Sequence, residues 1–161
     1  MGDPFPSSPK AIDLTAIRLA DEAATQDLGR ALAAALRPGD ALCLTGPLGA
    51  GKSTLARALI RALTTPDEEV PSPTFTLVQF YETAAFPLAH FDLYRLSDPD
   101  EAYEIGLDEA LDDGVALIEW PQRLEGRLPA TRLDIDIALD GDARRVTITR
   151  HGDFEGRTLE F

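Results

Sequence analysis

ALCLTGPLGAGKSTLARALIRAL, residues 41–63, contains three successive patterns that together decide the fold. Residues 41–45 are a short apolar run between a turn and a glycine-rich loop, which is typical of a buried parallel strand. Beyond the loop, apolar side chains return at helical spacing, at Leu55, Leu59, Ala62 and Leu63. A strand, a loop and a helix in this order predict an α/β sheet.

The loop itself, from Gly46 to Ser53, fits the pattern G-x-x-x-x-G-K-[ST] of loops that cradle phosphates. Its glycines let the backbone turn tightly, so that consecutive N–H groups and the dipole of the following helix face an anion. Lys52 can reach the β- and γ-phosphates, and the Ser53 hydroxyl can bind Mg²⁺. The alternative is a chance glycine turn, but the strand before the loop and the helix after it favour phosphate binding.

The composition excludes several classes of protein. The chain has 161 residues with 15 basic and 28 acidic side chains, a net charge of −13, and only two lysines, Lys10 and Lys52. A chain this acidic is a poor stand-alone binder of nucleic acid or of anionic lipid. Its single cysteine, Cys43, allows neither an internal disulfide nor a Cys-rich zinc site. No apolar run approaches the ~18 residues of a membrane helix, and we expect a soluble cytoplasmic protein.

The pattern along the chain predicts a disordered lead-in at residues 1–10 and one domain over residues 11–161. The architecture we expect is a P-loop NTPase-like three-layer α/β sandwich, with a mostly parallel central sheet and an antiparallel hairpin near the C-terminus. The predicted strands lie within residues 11–19, 41–45, 75–81, 86–94, 115–119, 132–139 and 144–150, and predicted helices start at Asp21, Ser53 and Asp98, with Gly106 dividing the last.

Two carboxylates follow predicted strands where a metal site would need them. Phosphoryl chemistry with Mg²⁺ uses an acidic residue at a strand end, and both Asp92 and Glu119 stand at such an end. Each has a structural alternative: Asp92 could cap or pair with Arg95 as structural support, and Glu119 could be a surface residue at a strand terminus. His90 is expected to be a satisfied strand residue rather than a base, because phosphoryl transfer needs mainly positioning and metal.

Five segments of the chain occur in a distinctive order and spacing: LADEAATQDLG (19–29), GPLGAGKSTL (46–55), SPTFTLVQFY (72–81), HFDLYRL (90–96) and IEWPQRL (118–124). Together they resemble the TsaE family, the bacterial ATPase required for forming threonylcarbamoyladenosine at position 37 of certain tRNAs. The resemblance covers about residues 17–150. The chain departs from the usual family pattern at Pro47, where the family usually has Asp, and at Ser53, which replaces Thr but keeps the hydroxyl.

The resemblance implies ATP and Mg²⁺ as cofactors, and TsaD and TsaB as the partners through which the protein serves tRNA indirectly. The absence of asparagine, which the guanine-reading motif of GTPases needs, also favours ATP. By family position, Ser53 and Glu119 would bind the metal, and Lys52, Asp92 and Glu119 would serve catalysis. The positions matched to nucleotide binding are Glu22, Leu48, Gly49, Ala50, Gly51, Lys52, Ser53 and Thr54.

Four further side chains each have a functional and a structural interpretation. Residues 72–77 resemble a switch-like segment, in which Thr74 and Thr76 either sense a γ-phosphate or simply favour a strand. Trp120 is either a partner contact or a core ring, and the family places this region near the nucleotide. Cys43, inside a strand, is expected to pack in the core.

Two other functions use the same phosphate loop. A small-molecule kinase of this size would carry an arginine-rich lid over the γ-phosphate, but the arginines here are scattered. A nucleotide-dependent binding module would bind ADP tightly without measurable hydrolysis.

Overall fold

The computed structural model describes residues 14–161, which form one seven-stranded sheet with helices on both faces. The expected lead-in at residues 1–10 lies outside the described residues. Within residues 14–161, no helix is both long and apolar enough to cross a membrane. The elements are β1 (Leu14–Leu19), α1 (Glu22–Ala35), β2 (Ala41–Thr45), α2 (Lys52–Leu63), β3 (Val78–Glu82), β4 (Pro87–Asp92), α3 (Asp100–Glu104), α4 (Leu107–Asp113), β5 (Val115–Glu119), β6 (Arg132–Asp140) and β7 (Ala143–His151), with short 3₁₀ turns at Pro121–Leu124 and Gly152–Gly156.

The strand order is β1-β7-β6-β2-β5-β4-β3. Three of the six strand pairs are parallel and three are antiparallel. The four central strands are parallel, whereas β1–β7, β7–β6 and β4–β3 pair antiparallel. The expectation of a mostly parallel sheet is therefore wrong. Only the four residues 83–86 join β3 to β4, which is far too short for the crossover that a parallel pair needs. The expected C-terminal hairpin is confirmed, with β6 and β7 joined through Gly141 and Asp142.

The two faces of the sheet carry separate apolar clusters, which makes three layers. In β2, Leu42 and Leu44 pack in the cluster that includes α1 and α2. Their neighbours Ala41 and Cys43 pack in the cluster that includes α3 and α4. This division follows from the alternation of side chains along a strand. Because helices cover both faces, β2 reads as a continuous apolar run, as a buried parallel strand should.

The predicted start of the third helical region is confirmed in its hydrogen bonding. Asp98 Oδ1 accepts the Asp100 N–H at 2.9 Å, and Glu101 Oε1 accepts the Asp98 N–H at 3.0 Å, so the two acids cap the helix reciprocally. Gly106, with φ of +99°, separates α3 from α4 as expected.

The strand predicted over residues 75–81 begins only at Val78. Residues 73–76 form a turn that is closed by a 2.7 Å hydrogen bond from the Leu77 N–H to the Pro73 carbonyl. Leu77 then adopts a left-handed φ of +69°, which a leucine rarely does. The β-branched residues of this stretch therefore lie in a compact turn, which delivers them to the edge of the site described below.

The last ten residues, which carry little pattern, are anchored by two side chains. Phe154 is fully buried, and Arg157 makes a two-pronged ion pair with Asp40, at 2.6 and 2.7 Å. Asp40 is only 1% exposed, and it also accepts the Arg37 N–H. The hydrogen bond to Asp40 raises the pKa of Arg157. The C-terminal segment is thus tied to the loop that precedes β2.

We expect Arg157→Ala to lower the free energy of unfolding by about 3–5 kcal/mol, because it leaves the buried Asp40 carboxylate without its cation. The matched control is Arg127→Ala, which removes an exposed ion pair with Asp100 and should change stability little. Urea unfolding of both variants measures the difference. Equal losses would contradict the anchoring role of Arg157.

Cys43 should resist thiol reagents in the folded protein. Burial raises the pKa of its thiol to about 12, so at pH 8 only about one molecule in 10,000 carries the reactive thiolate. The reactive fraction grows as the pH rises toward that pKa. We expect negligible labelling by a chromogenic disulfide reagent at pH 8 and one equivalent in denaturant. Rapid labelling of the folded chain would contradict the buried position.

Candidate functional site

The carboxyl ends of β2, β5 and β4 meet at one edge of the sheet, where the glycine-rich loop begins. The parallel register sets Asp92 beside Glu119, and Glu119 beside Leu44 in β2. A cleft of about 360 Å³ opens over these ends. It is lined by Leu48, Gly49, Lys52, Ser53, Ser72, Thr74, Asp92, Tyr94, Glu119 and Trp120. A crevice beyond the carboxyl ends of parallel strands is where ligands bind in α/β sheets.

The glycine-rich loop is held close to β6 at its start. Gly46 has a φ of +147°, and a Cβ at this position would lie only 2.4 Å from the carbonyl oxygen of Ile137. Gly51 precedes α2 with a φ of +110° and provides no capping side chain. The first N–H groups of α2 are therefore left without a side-chain cap, as a loop that receives an anion requires.

Lys52, the first residue of α2, is buried at the floor of the cleft and points toward an aromatic pair. Its Nζ lies 4.4 Å from the centre of the Trp120 ring, which in turn contacts the Tyr94 ring at 4.8 Å. Trp120 is only half-buried and has a left-handed φ of +61°, a turn that directs the chain away from the end of β5. Two roles were left open for Trp120, and the ring is neither fully buried in the core nor fully exposed for a partner. It forms one wall of the cleft.

Asp92 is buried and accepts hydrogen bonds at both carboxylate oxygens. Oδ1 accepts the Tyr94 N–H and Oδ2 accepts the Thr74 hydroxyl, each at 3.0 Å. Of the two structural alternatives, the cap is present as the bond from the Tyr94 N–H, whereas the ion pair is not formed, because Arg95 lies over the Phe75 ring at 4.5 Å. Asp92 is therefore tied to residues 72–77 rather than to a neighbouring cation.

Glu119 is also buried, with 7% exposure, which excludes the alternative of a surface residue. Its Oε2 lies 2.7 Å from His90 Nε2, and when the carboxylate is ionised this ring nitrogen must donate. His90 lies two residues before Asp92 on β4, so both side chains point to the same face of the sheet, which is the face covered by α1 and α2. The expectation of a satisfied strand histidine therefore holds for Nε2 alone, because the buried Nδ1 has no hydrogen-bond partner among the described residues, and the carboxylate that His90 orients belongs to the site.

The structure separates the two threonines of the switch-like segment. Both lie in the turn before β3, so a preference for strand does not explain them. The Thr74 hydroxyl donates to Asp92 and lies 2.7 Å from the Ser72 hydroxyl. The Thr76 hydroxyl accepts only from the half-buried Gln79 side chain. Thr74 faces the cleft, and Thr76 does not line it.

A second, smaller cleft of about 200 Å³ lies on the other side of the glycine-rich loop. It shares Gly49 with the first cleft and adds Glu22 from the first turn of α1 and Thr54 from α2. Glu22 is exposed at the rim. Each residue predicted to bind nucleotide or to act in catalysis lines one of the two clefts: Glu22, Leu48, Gly49, Ala50, Gly51, Lys52, Ser53, Thr54, Asp92 and Glu119.

The oxygen donors in the larger cleft fit Mg²⁺ better than a soft metal. They are the Ser53 hydroxyl and the Asp92 and Glu119 carboxylates. Among residues 14–161, no group of three or more His, Cys, Asp or Glu side chains could hold a metal alone. Mg²⁺ typically uses one or two carboxylates together with the oxygens of a phosphate substrate, which suits this donor set.

Sequence reasoning missed Arg144, which hydrogen-bonds to the loop from β7. Its Nε donates to the Ala50 carbonyl at 3.0 Å and its Nη2 to the Gly49 carbonyl at 3.3 Å. A signal was present, because strand alternation sets Arg144 on the same face as the buried Val146 and Ile148. An arginine on the inward face of a strand needs a polar partner there.

Comparison with known proteins identifies relatives over most of the chain. Residues 19–147 match the family model TsaE, described as threonylcarbamoyl adenosine biosynthesis protein TsaE. The tRNA threonylcarbamoyladenosine biosynthesis protein TsaE of Rickettsia bellii is 39% identical over 132 residues, covering 81% of this chain and 92% of that protein. The protein of the same name from Bacillus subtilis is 41% identical over 130 residues, covering 80% of each chain. A crystal structure of Bacillus subtilis YdiB is 32% identical, with a TM-score of 0.69, covering 88% of this chain and 89% of that one.

We expect Thr74→Val to loosen residues 72–77, because it keeps the side-chain shape and removes the hydrogen bonds to Asp92 and Ser72. Faster amide hydrogen exchange in this segment would show the effect. Thr76→Val is the matched control, since that hydroxyl accepts only from Gln79. Equal exchange in the two variants would mean that the Thr74–Asp92 bond does not hold the segment.

Proposed function

The chain belongs to the TsaE family of threonylcarbamoyl adenosine biosynthesis proteins, and from this premise we propose that it binds ATP with Mg²⁺ and hydrolyses it slowly. The family acts in tRNA threonylcarbamoyladenosine biosynthesis. The observation that carries the proposal is the convergence of Lys52, Ser53, Asp92 and Glu119 on one cleft next to the glycine-rich loop.

Binding of the phosphates rests on the loop and Lys52. The free N–H groups at the start of α2 meet the negative charge, and the Lys52 ammonium reaches the β- and γ-phosphates. Burial of Lys52 strengthens this interaction because the local dielectric is low. The Trp120 ring holds the Lys52 ammonium from one side through a cation–π contact.

Ser53 and Glu119 would hold the metal, which would neutralise charge that develops on the transferring phosphoryl group. His90 keeps the Glu119 carboxylate turned into the cleft through its 2.7 Å hydrogen bond. Asp92 has both oxygens engaged by Tyr94 and Thr74, so it is fixed in place. A fixed carboxylate at this position can orient an attacking water or the water shell of the metal.

Residues 72–77 connect the state of the phosphates to the protein surface. Thr74 touches Asp92 inside the cleft, and the adjacent Phe75 is 80% exposed. Loss of the γ-phosphate would change the hydrogen bonding at Thr74 and thereby the exposed Phe75. Such a coupling suits a protein whose hydrolysis resets a larger assembly between turnovers.

The partners in this proposal are TsaB and TsaD, the subunits that transfer the threonylcarbamoyl group to tRNA adenosine 37 in the cytoplasm. The net charge of −13 supports contact with tRNA through these partners, since an acidic chain gains little from phosphate contacts of its own. A small-molecule kinase remains the competing enzyme, and a binding module without turnover the competing non-enzyme.

Lys52→Ala and Glu119→Gln test the site assignment. We expect each to lower Mg²⁺-dependent ATP hydrolysis, measured with TsaB and TsaD present, by about 100-fold, because each removes an electrostatic group from the transition state. Glu82→Gln is the matched control, since Glu82 also ends a strand but is exposed. Unchanged hydrolysis in both site variants would contradict the assignment.

Three further measurements separate the competing functions. ATP-dependent co-purification with TsaB and TsaD supports the proposal. Formation of a phosphorylated small molecule would favour the kinase. Tight ADP binding without hydrolysis, even with both partners, would favour the binding module.

A further inference from the structure

Arg144 is the second residue of β7 and the only side chain of that strand that hydrogen-bonds to the glycine-rich loop within the described part of the chain. Three backbone carbonyls accept its N–H groups: Ala50 at 3.0 Å, Gly49 at 3.3 Å and its own neighbour Ala143 at 2.9 Å. No carboxylate among residues 14–161 forms an ion pair with it, although the chain is strongly acidic. Arg144 therefore acts on the backbone of the loop.

The position of Arg144 is rigid. β7 is hydrogen-bonded on both sides, with Arg144 opposite Leu19 in β1 and opposite Leu139 in β6. The next residue, Arg145, is exposed on the other face and lies near Asp140 at 3.7 Å. The sheet thus holds one arginine of the pair against the loop and turns the other to solvent.

Because of the geometry of the peptide bond, the contact with Arg144 also fixes the direction of an N–H group that faces the phosphate-binding side of the loop. The C=O and N–H of a trans peptide point in opposite directions. Because the Ala50 carbonyl points to Arg144, the N–H of Gly51 in the same peptide points away from β7. The Ala50 N–H is already used, since it donates to the Pro47 carbonyl at 3.1 Å. The Gly51 N–H is therefore the donor whose direction Arg144 controls.

The backbone of the loop has conformational freedom at one end of this peptide. The peptide joins Ala50, which is fully buried, to Gly51, which has a φ of +110° and where a Cβ would meet nothing within 4 Å. A glycine at the N–H end of a peptide gives the peptide access to several orientations at little cost. A flipped 50–51 peptide would present a carbonyl oxygen to an incoming phosphate and repel it.

We propose that Arg144 is a positioning residue that locks the Ala50–Gly51 peptide with its N–H toward the phosphates of a nucleoside di- or triphosphate. The inference rests on the proposed nucleotide binding. It assigns to a β7 side chain, 94 residues from the loop, the preorganisation of the phosphate donors. The guanidinium suits this task, because its planar fork can donate to two carbonyls at once, which an ammonium cannot do with the same geometry.

Arg144→Met tests the lock, because it keeps the apolar stem and removes the donors. We expect roughly tenfold weaker ADP and ATP binding by calorimetry, together with faster amide exchange in residues 46–51. Arg145→Met is the matched control and should change neither measurement. Arg144→Lys should fall between Arg144→Met and the unchanged chain, since it keeps the charge and loses the two-pronged contact.

The outcomes are separable. Equal affinity and equal loop exchange in Arg144→Met and Arg145→Met would overturn the lock, and so would full recovery by Arg144→Lys, which would reduce the role to charge. If the unchanged chain binds neither nucleotide, the proposed function fails, and the exchange of residues 46–51 in the three variants still decides whether Arg144 orders the loop. If Arg144→Met does not fold, Arg144→Lys decides by the same two measurements. Affinity and exchange of residues 46–51 equal to those of the unchanged chain overturn the proposal, and weaker binding with faster exchange supports it.

Discussion

The parallel pairing of β5 with β2 on one side and with β4 on the other is the interaction on which the rest of the site depends. It sets Leu44, Glu119 and Asp92 in one row, so the loop that follows β2 begins beside both carboxylates. A shift of one residue would turn Glu119 to the opposite face and separate it from His90. The burial of both faces under helices makes such a shift costly, because alternate residues of β2 and β5 fill different apolar clusters.

Much of this fold could be predicted from the sequence where local pattern and tertiary role agree. β2 and β5 are continuous apolar runs because both faces are buried, and the β6–β7 hairpin alternates around Gly141. The prediction was wrong where the direction of a strand depends on the strand with which it pairs. The balance of parallel and antiparallel pairs depends on where β1 and β3 dock, and edge strands record little of this in their own residues. The turn at Leu77 was also missed, since a left-handed leucine runs against local preference.

The residues of the candidate site divide in the same way. Lys52 and Ser53 stand in a pattern of eight residues, and Asp92 and Glu119 stand at the ends of predicted strands, so sequence and resemblance could identify them. The side chains that hold them could not be predicted so directly. His90 reaches Glu119 from the neighbouring strand β4, Thr74 reaches Asp92 from a turn, and Arg144 reaches the loop from β7. These contacts exist only once the sheet order exists.

The central place of β2 has a consequence for the order in which the protein matures during translation. Its two neighbours in the sheet, β5 and β6, occupy residues 115–119 and 132–140, and the arginines that brace the loop and Asp40 are Arg144 and Arg157. A nascent chain that has exposed the complete phosphate-loop pattern still lacks both flanking strands. Long-range pairings of this kind form late, because the closure of long loops must come first. A chain truncated before β6 would therefore contain the complete phosphate-loop pattern but would not form the cleft beside it.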